Sequence, residues 1–421
     1  MATTKATTLA HTLGGISSDI STAEINRLDG LTGDIQTLLN LKAPLASPTF
    51  TGTTTVADFV PATPLSHRNM IINGGMNVYQ RGSLSITQSN NGGFALDRFK
   101  YSQGTAVGQY EATMTQDALS DADIATTGQR NALKVLTTTV EGTIHADEDG
   151  RIVYVIEAQD CQRLLYGTSV AKSATLSFWA QSTVAADYAV NIWQEDGNDT
   201  ITKTYTLAAN TWTKVSITIP GNTLSGGKIA NDNTGGLWIQ WMLIAGSDMT
   251  SSDATSWGTY SASKLAYGHT ASSVTNPWGT NSNDAWYITG VQLELGSATP
   301  FEVRSYGDEL ANCQRYYYGF NKVNGTTDYL LGGNNRGGNS RAHVMLWFPV
   351  TMRAAPAVSF TDGAGSADRA TYHSGNLGNG GNHGLTIYSS SPTINRYHVT
   401  TDPYTGYDFY LLNLNFRAEL T

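Results

Sequence analysis

The residues best suited to chemistry in this chain are aromatics set among small polar residues. Trp257, Tyr260 and Trp278 fall in a Ser-, Thr- and Gly-rich stretch from Asp253 to Asn283. His383, Tyr388, Tyr397, Tyr404 and Tyr407 stand beside Asn, Ser and Gly nearer the C-terminus. An aromatic face on an exposed loop stacks on the C–H face of a sugar ring, and amides or carboxylates at the rim take its hydroxyls. These residues are the candidates for contact with a glycan or another receptor. For each taken singly, core or subunit-interface packing is the competing role, because a Trp or Tyr buries about 150–250 Å2. Trp179 and Trp241 fall in strand-like runs and are assigned to sheet faces rather than to a site.

Metal and catalytic chemistry is poorly represented. Asp147-Glu148-Asp149-Gly150 is the densest acidic turn, and Asp147 and Asp149 are the only metal candidates, for calcium. They lack the alternate-position ligands of an EF-hand, and a solvated turn is the simpler expectation. No other cofactor is expected. The nucleophile elbow, the zinc-protease helix, the P-loop and the dinucleotide fingerprint are all missing. A glycosidase needs two carboxylates flanking one bond, and the Trp-bearing strands hold few acids. No catalytic residue is assigned, and the chain reads as a binder rather than an enzyme.

The elements that must position these residues are strands. Leu176, Phe178 and Ala180 alternate with Ser177, Trp179 and Gln181, which is period two. Val215, Ile217 and Ile219 alternate with Lys214, Ser216 and Thr218, and Leu237, Ile239, Trp241 and Leu243 share one face. Between Trp286 and Leu295 the phase slips at Gly290, which marks a β-bulge and turns Gln292 and Glu294 away from Val291, Leu293 and Leu295. A short helix fits Asp308 to Arg315. Gly332 to Asn339 reads as a loop. The last run, Tyr410 to Leu420, reads as one clean strand.

Composition agrees with this. Charged residues are 14% of the 421, aromatics 10%, and glycines number 43. That excludes a disordered chain and disfavours a Lys/Glu-rich helical protein. The net charge is −9, with no cluster of Lys and Arg, so neither nucleic acid nor an anionic membrane is an expected partner. Two cysteines, Cys161 and Cys313, are too few for a disulfide scaffold and read as buried thiols. The N-terminus has no apolar signal region, and no apolar run is long enough to span a membrane.

The first sixty-odd residues differ from the rest: they hold no Trp or Tyr. Ser21-Thr22-Ala23-Glu24 has capping-box form, and Leu28, Leu31, Ile35 and Leu38 make a short apolar stripe. So short a helix is marginal alone, and identical chains could supply its partners, three strands being compatible with Ile and Leu at the core positions. The run from Ala23 to Thr53, ending in Ala43-Pro44-Leu45-Ala46-Ser47-Pro48-Thr49-Phe50-Thr51-Gly52, resembles the stalk module of bacteriophage tail fibres. Arg68 to Gly82 resembles the opening of a phage-fibre jelly roll related to carbohydrate-binding modules. Leu96-Asp97-Arg98-Phe99, Leu176 to Ala180, Ile219 to Thr223, Val291 to Gly296 and Glu309 to Tyr317 match its later landmarks in order.

The resemblance implies an all-β homotrimer. Residues 1–65 would dock on the virion and form a helical and extended stalk, with Leu28, Leu31, Ile35 and Leu38 at the trimer interface. Residues 66–306 would form an antiparallel jelly-roll β-sandwich, 307–318 a connecting helix, and 319–421 a C-terminal β-sandwich that contacts the receptor. The implied function is attachment of a virion, assembled in the host cytoplasm, to a host-surface glycan. Its partners would be itself, a tail or adaptor protein, and that glycan. A structural head fibre or decoration protein, and a polysaccharide-cleaving tailspike, are the alternatives.

Overall fold

In the computed structural model the described residues are 66–87, 93–103, 110–140, 145–249, 256–261, 279, 281–320, 331–334, 341–361, 371–373, 385–390, 394–400, 408–411 and 413–420. The stalk segment and its apolar stripe, Leu28, Leu31, Ile35 and Leu38, lie outside them. Thirteen strands come first: β1 (Leu84–Ile86), β2 (Gly93–Phe94), β3 (Lys100–Gln103), β4 (Glu111–Ala118), β5 (Asn131–Thr139), β6 (Asp149–Glu157), β7 (Ala174–Ser182), β8 (Ala186–Gln194), β9 (Asp199–Leu207), β10 (Thr213–Ile219), β11 (Gly235–Ala245), β12 (Gly258–Thr259) and β13 (Ala285–Leu295). They form two antiparallel sheets. The first has the order β1-β4-β5-β13-β7-β10, the second β12-β9-β8-β11-β6-β3-β2.

Alternation decides which face each strand buries. On β10, Val215, Ile217 and Ile219 are buried while Lys214, Ser216 and Thr218 are exposed. Leu237, Ile239, Trp241 and Leu243 all enter the core from β11. Phe178 of the first sheet meets Trp241 of the second edge-to-face, 5.9 Å between centroids, so one apolar layer joins both sheets into a sandwich. The bulge expected at Gly290 is present: its φ is 61°, and the β13–β7 register shifts between Thr289 and Gln292. That shift keeps Val291 and Leu293 in the core and turns Gln292 and Glu294 outward. Both are nevertheless buried, because the chain after β13 folds back over them. Glu294 accepts from the Thr299 amide (2.7 Å) and hydroxyl (2.7 Å), and Gln292 accepts from the Glu302 amide (2.8 Å).

The Arg68–Gly82 motif makes no regular element, and its asparagines replace one. Asn69 donates to the Val291 carbonyl and accepts from the Ile71 and Leu293 amides. Asn73 bonds both the amide and the carbonyl of Val78 and also the Asp97 carbonyl. Side-chain amides can satisfy buried backbone in this way, which lets Met70, Ile71, Met76 and Val78 enter the core. Two helices flank the strands. α1 (Asp121–Thr127), capped by Ser120 and ended by left-handed Gly128, was not anticipated from the sequence. α2 (Tyr306–Gln314), capped by Ser305, is the helix expected at 308–315.

The remainder supplies β14 (Tyr317–Phe320), β15 (Leu331–Asn334), β16 (Arg341–Trp347), β17 (Ala357–Thr361), β18 (Thr371–His373), β19 (Leu385–Ser390), β20 (Ile394–Thr400), β21 (Asp408–Leu411) and β22 (Asn413–Arg417). They form three three-stranded sheets, β14-β22-β17, β15-β21-β18 and β16-β20-β19. Two expectations are corrected here. The start of the Gly332–Asn339 stretch is strand, not loop: β15 pairs with β21 through backbone groups that need no side chain. The run from Tyr410 onward is also two strands in different sheets, since alternation is blind to a change of partner.

Buried charges tie the chain's end to the sandwich. Glu419 receives Arg81 and Arg98, the latter at 2.6 Å. The Arg98 guanidinium lies 3.4 Å from the Tyr316 ring centroid and that of Arg81 3.8 Å from Tyr317. Arg315 grips Glu157 through two nitrogens, at 2.8 and 2.9 Å. Arg353 donates to the carbonyls of Asn233 (2.6 Å), Ala418 (2.6 Å) and Glu419 (2.9 Å). Tyr316 and Leu420 are thereby packed on Val153 and Val155, on the outer side of β6.

Candidate glycan-binding face

The outer face of the second sheet is set by strand register. Trp193 on β8 lies directly opposite Trp238 on β11, and in the next inward-facing pair Ile192 meets Ile239 in the core. One step further along the outer face, Asn191 opposes Gln240, and then Ala189 opposes Met242. β9 adds Thr200 beside Trp193 and Thr202 beside Asn191. β6 adds Val155 beside Trp238 and Arg151 beside Met242.

The rings form a short platform. The Trp193 and Trp238 centroids are 5.1 Å apart with planes tilted by 49°. Tyr260, held by its amide to the Asn198 carbonyl (2.7 Å), brings its ring within 4.9 Å of Trp193. It also packs on the Ala189–Met242–Ala245 cluster. Burial raises the Tyr260 hydroxyl pKa, with nearby Arg151 opposing and Asp149 reinforcing that shift. The Trp238 indole donates to Glu195 (2.8 Å), which fixes its plane. Gly235 gives that carboxylate room: a Cβ there would press on it and sit 3.0 Å from the indole nitrogen. The Trp193 indole nitrogen is buried with no hydrogen-bond partner.

Beside the rings runs a polar ladder. Gln240 donates to Asn191 (3.0 Å), and Asn191 donates to the Thr200 (2.7 Å) and Thr202 (2.8 Å) hydroxyls. Thr200 in turn donates to the Ile192 carbonyl. At the far end Arg151 is paired with Asp149, and half-buried Lys100 has its pKa lowered by burial and then by Arg151. Glu195 beside the rings is engaged by an indole, and Asp149 at the far end by a guanidinium. The arrangement offers partly exposed rings for stacking and a fixed acceptor beside them, while the ladder of Gln240, Asn191, Thr200 and Thr202 is buried and holds the strands beneath.

The residues singled out from the sequence are distributed as follows. Tyr260 joins the platform. Trp257 is half-buried against the core, edge-to-face with Tyr166 at 5.5 Å, its indole donating to the Pro220 carbonyl (2.7 Å). Tyr388 lies on β19 at a register shift, and Tyr397 on β20 pairs with Val344 and Ile387. Trp278, His383, Tyr404 and Tyr407 lie outside the described residues. Asp147 is exposed in a turn, whereas Glu148 and Asp149 are buried, so the acidic turn is only partly solvated. Among the described residues, no group of three His, Cys, Asp or Glu side chains is placed to hold a metal ion. Cys161 and Cys313 are buried free thiols, both with pKa raised by burial. Among the described residues, no helix is long and apolar enough to cross a membrane.

Trp193, Trp238, Asn191, Gln240 and Glu195 are not singled out by the sequence, because all but Glu195 sit on strands, whereas the recognisable pattern of a sugar-stacking aromatic is a ring among loop residues. A signal existed. Trp238 and Gln240 occupy the off-phase of the Leu237–Leu243 alternation, where a buried-face pattern puts a large ring on the outward side.

No family model matches the chain, and no curated protein matches it. Solved structures do resemble its β-sandwich. The CBM22-1 xylan-binding domain from Paenibacillus barcinonensis shares 10% identity over 55% of this chain and 96% of that one, with a TM-score of 0.25. The family 11 carbohydrate-binding module from Clostridium thermocellum, in complex with a mixed-linked tetrasaccharide, shares 12% over 52% and 98%, also at 0.25. An arabinose-bound α-L-arabinofuranosidase shares 9% over 59% of this chain and only 30% of its own, at 0.29. At such identities most side chains on the matching strands differ.

Proposed function

We propose that the chain binds a glycan on the Trp193–Trp238–Tyr260 face, as the receptor-binding part of a trimeric bacteriophage fibre. The observation that carries the glycan reading is the platform itself: three aromatic rings within 5.1 Å of their neighbours, flanked by an amide ladder on an outer sheet face. A few stacked rings on an open face make a single weak site. Three copies on one stem raise the effective concentration of neighbouring sites. The fibre reading rests on the stalk-like segment before Thr53 and on the ordered landmarks from Arg68 to Tyr317. We read the chain as a binder located in the virion, with no catalytic step.

The test is a glycan array probed with full-length protein, alongside the Trp193→Ala/Trp238→Ala double variant. Wild type should bind a defined glycan class and the double variant, with an unchanged melting temperature, should not. A blank array would favour a purely structural fibre. Release of reducing ends from host polysaccharide would favour a cleaving tailspike. Binding retained by the double variant would move the site to the C-terminal tyrosines.

A further inference from the structure

The opposite outer face, on the first sheet, carries its own aromatics. Tyr287 on β13 and Trp179 on β7 point away from the core, and Trp212 stands just before β10; each is partly exposed. Tyr287 is flanked by Lys134 of β5 and Gln181 of β7, and Trp179 by Thr289 of β13 and Lys214 of β10. The Trp212 and Tyr287 centroids are 6.2 Å apart at 61°. The Lys134 ammonium lies 5.4 Å from the Tyr287 centroid and 3.7 Å from Asp117. The Trp212 indole nitrogen is buried without a partner. Lys214 is exposed and makes no hydrogen bond or ion pair among the described residues.

Charge and spacing together point to one occupant. The chain carries a net −9, yet this stripe sets a lysine on either side of its rings, with Asp117 at one edge. A protein partner would seek a continuous apolar area, whereas here the Trp212–Tyr287 pair and the Trp179 ring are bordered by Lys134, Gln181, Thr289 and Lys214. A ring-shaped anion matches that alternation: its C–H face stacks on an aromatic, and its charge meets an unpaired ammonium. We propose that the outer face of the first sheet is a second site, for an acidic glycan, with a sugar ring on Trp179 or Tyr287 and its carboxylate, sulfate or phosphate at Lys214. This site is independent of the one on the second sheet.

The experiment is calorimetric titration of the full-length protein with polygalacturonate, hyaluronan, alginate and a phosphorylated lipopolysaccharide core. Four proteins are compared: wild type, Trp179→Ala, Lys214→Gln and Trp193→Ala/Trp238→Ala. Binding of at least one acidic glycan should weaken by roughly tenfold in Trp179→Ala and Lys214→Gln, fall with added salt, and persist in the double variant. Binding of none overturns the proposal. So does binding lost only in the double variant, or binding unchanged by Lys214→Gln and indifferent to salt.

Discussion

The two outer faces of the sandwich are built from the same period-two logic and end up in opposite states. The second sheet's face is roofed at one side by Tyr316 and Leu420, and its amides are spent on each other through Gln240, Asn191, Thr200 and Thr202. The first sheet's face keeps Lys214, Ser216 and Thr218 exposed, while its far end, at Gln292 and Glu294, is covered. A face whose hydrogen-bonding groups satisfy each other has rings as its main currency for a ligand. A face with an unpaired cation has charge as well. The difference comes from where the chain returns: Arg81, Arg98 and Arg353 fasten residues 418–420 near the second sheet, whereas 299–302 covers only a corner of the first.

That contrast breaks first at the charged joint. Arg98→Ala takes from Glu419 one of its two arginines and from the Tyr316 ring its cation, and removing one partner of a buried pair costs about 3–5 kcal/mol. Urea unfolding should show that loss, and hydrogen exchange should show β6 amides around Val153 and Val155 opening ahead of those in β7. Equal exchange in both sheets would mean that the joint does not distinguish the faces. Asn191→Ala comes next. It removes the acceptor of the Gln240 amide and the donor to the Thr200 and Thr202 hydroxyls, at about 1–3 kcal/mol, without touching the first face.

A smaller effect follows from pH. Burial, more than any neighbour, pushes Asp97 up to about 6 despite Arg81 beside it. Its folded-state pKa is therefore above the unfolded value near 3.8. The folded protein holds this proton more tightly, so the stability that Asp97 contributes grows as the pH falls from 7 through 6 towards 4, and is lost as pH rises again through about 6. Asp97→Asn mimics the protonated form. The stability gap between wild type and Asp97→Asn, measured by urea melts, should shift in favour of wild type between pH 7 and pH 5. A gap independent of pH would remove Asp97 from the titrating groups. Least of all, Lys214→Gln should leave stability within about 0.5 kcal/mol, since its side chain is exposed and makes no hydrogen bond or ion pair among the described residues; a larger change in melting would contradict its place on an open face.

Much of this fold was legible in the sequence. Val215–Ile219 and Leu237–Leu243 declared their buried sides by alternation, and Gly290 declared the bulge, because each signal is local to a strand. The division of 410–420 into β21 and β22 was not legible, since two strands in different sheets keep one continuous phase. The Asn69 and Asn73 bonds to backbone were equally invisible, as they join residues far apart in sequence. The candidate site was half visible. Tyr260 stood out among Ser and Thr, but Trp193 and Trp238 are neighbours only through the β8–β11 register, and no spacing within either strand shows that pairing.

Whether a glycan sits on the Trp193–Trp238 platform is read most directly by fluorine NMR of protein labelled with 5-fluorotryptophan. The chain has nine tryptophans, each assignable by a single Trp→Phe variant. On titration with the neutral glycan that binds best in the array, the Trp193 and Trp238 resonances should shift together and saturably, while buried Trp241 and Trp286 stay in place. Saturable binding that leaves the Trp193 and Trp238 resonances unmoved would contradict the account.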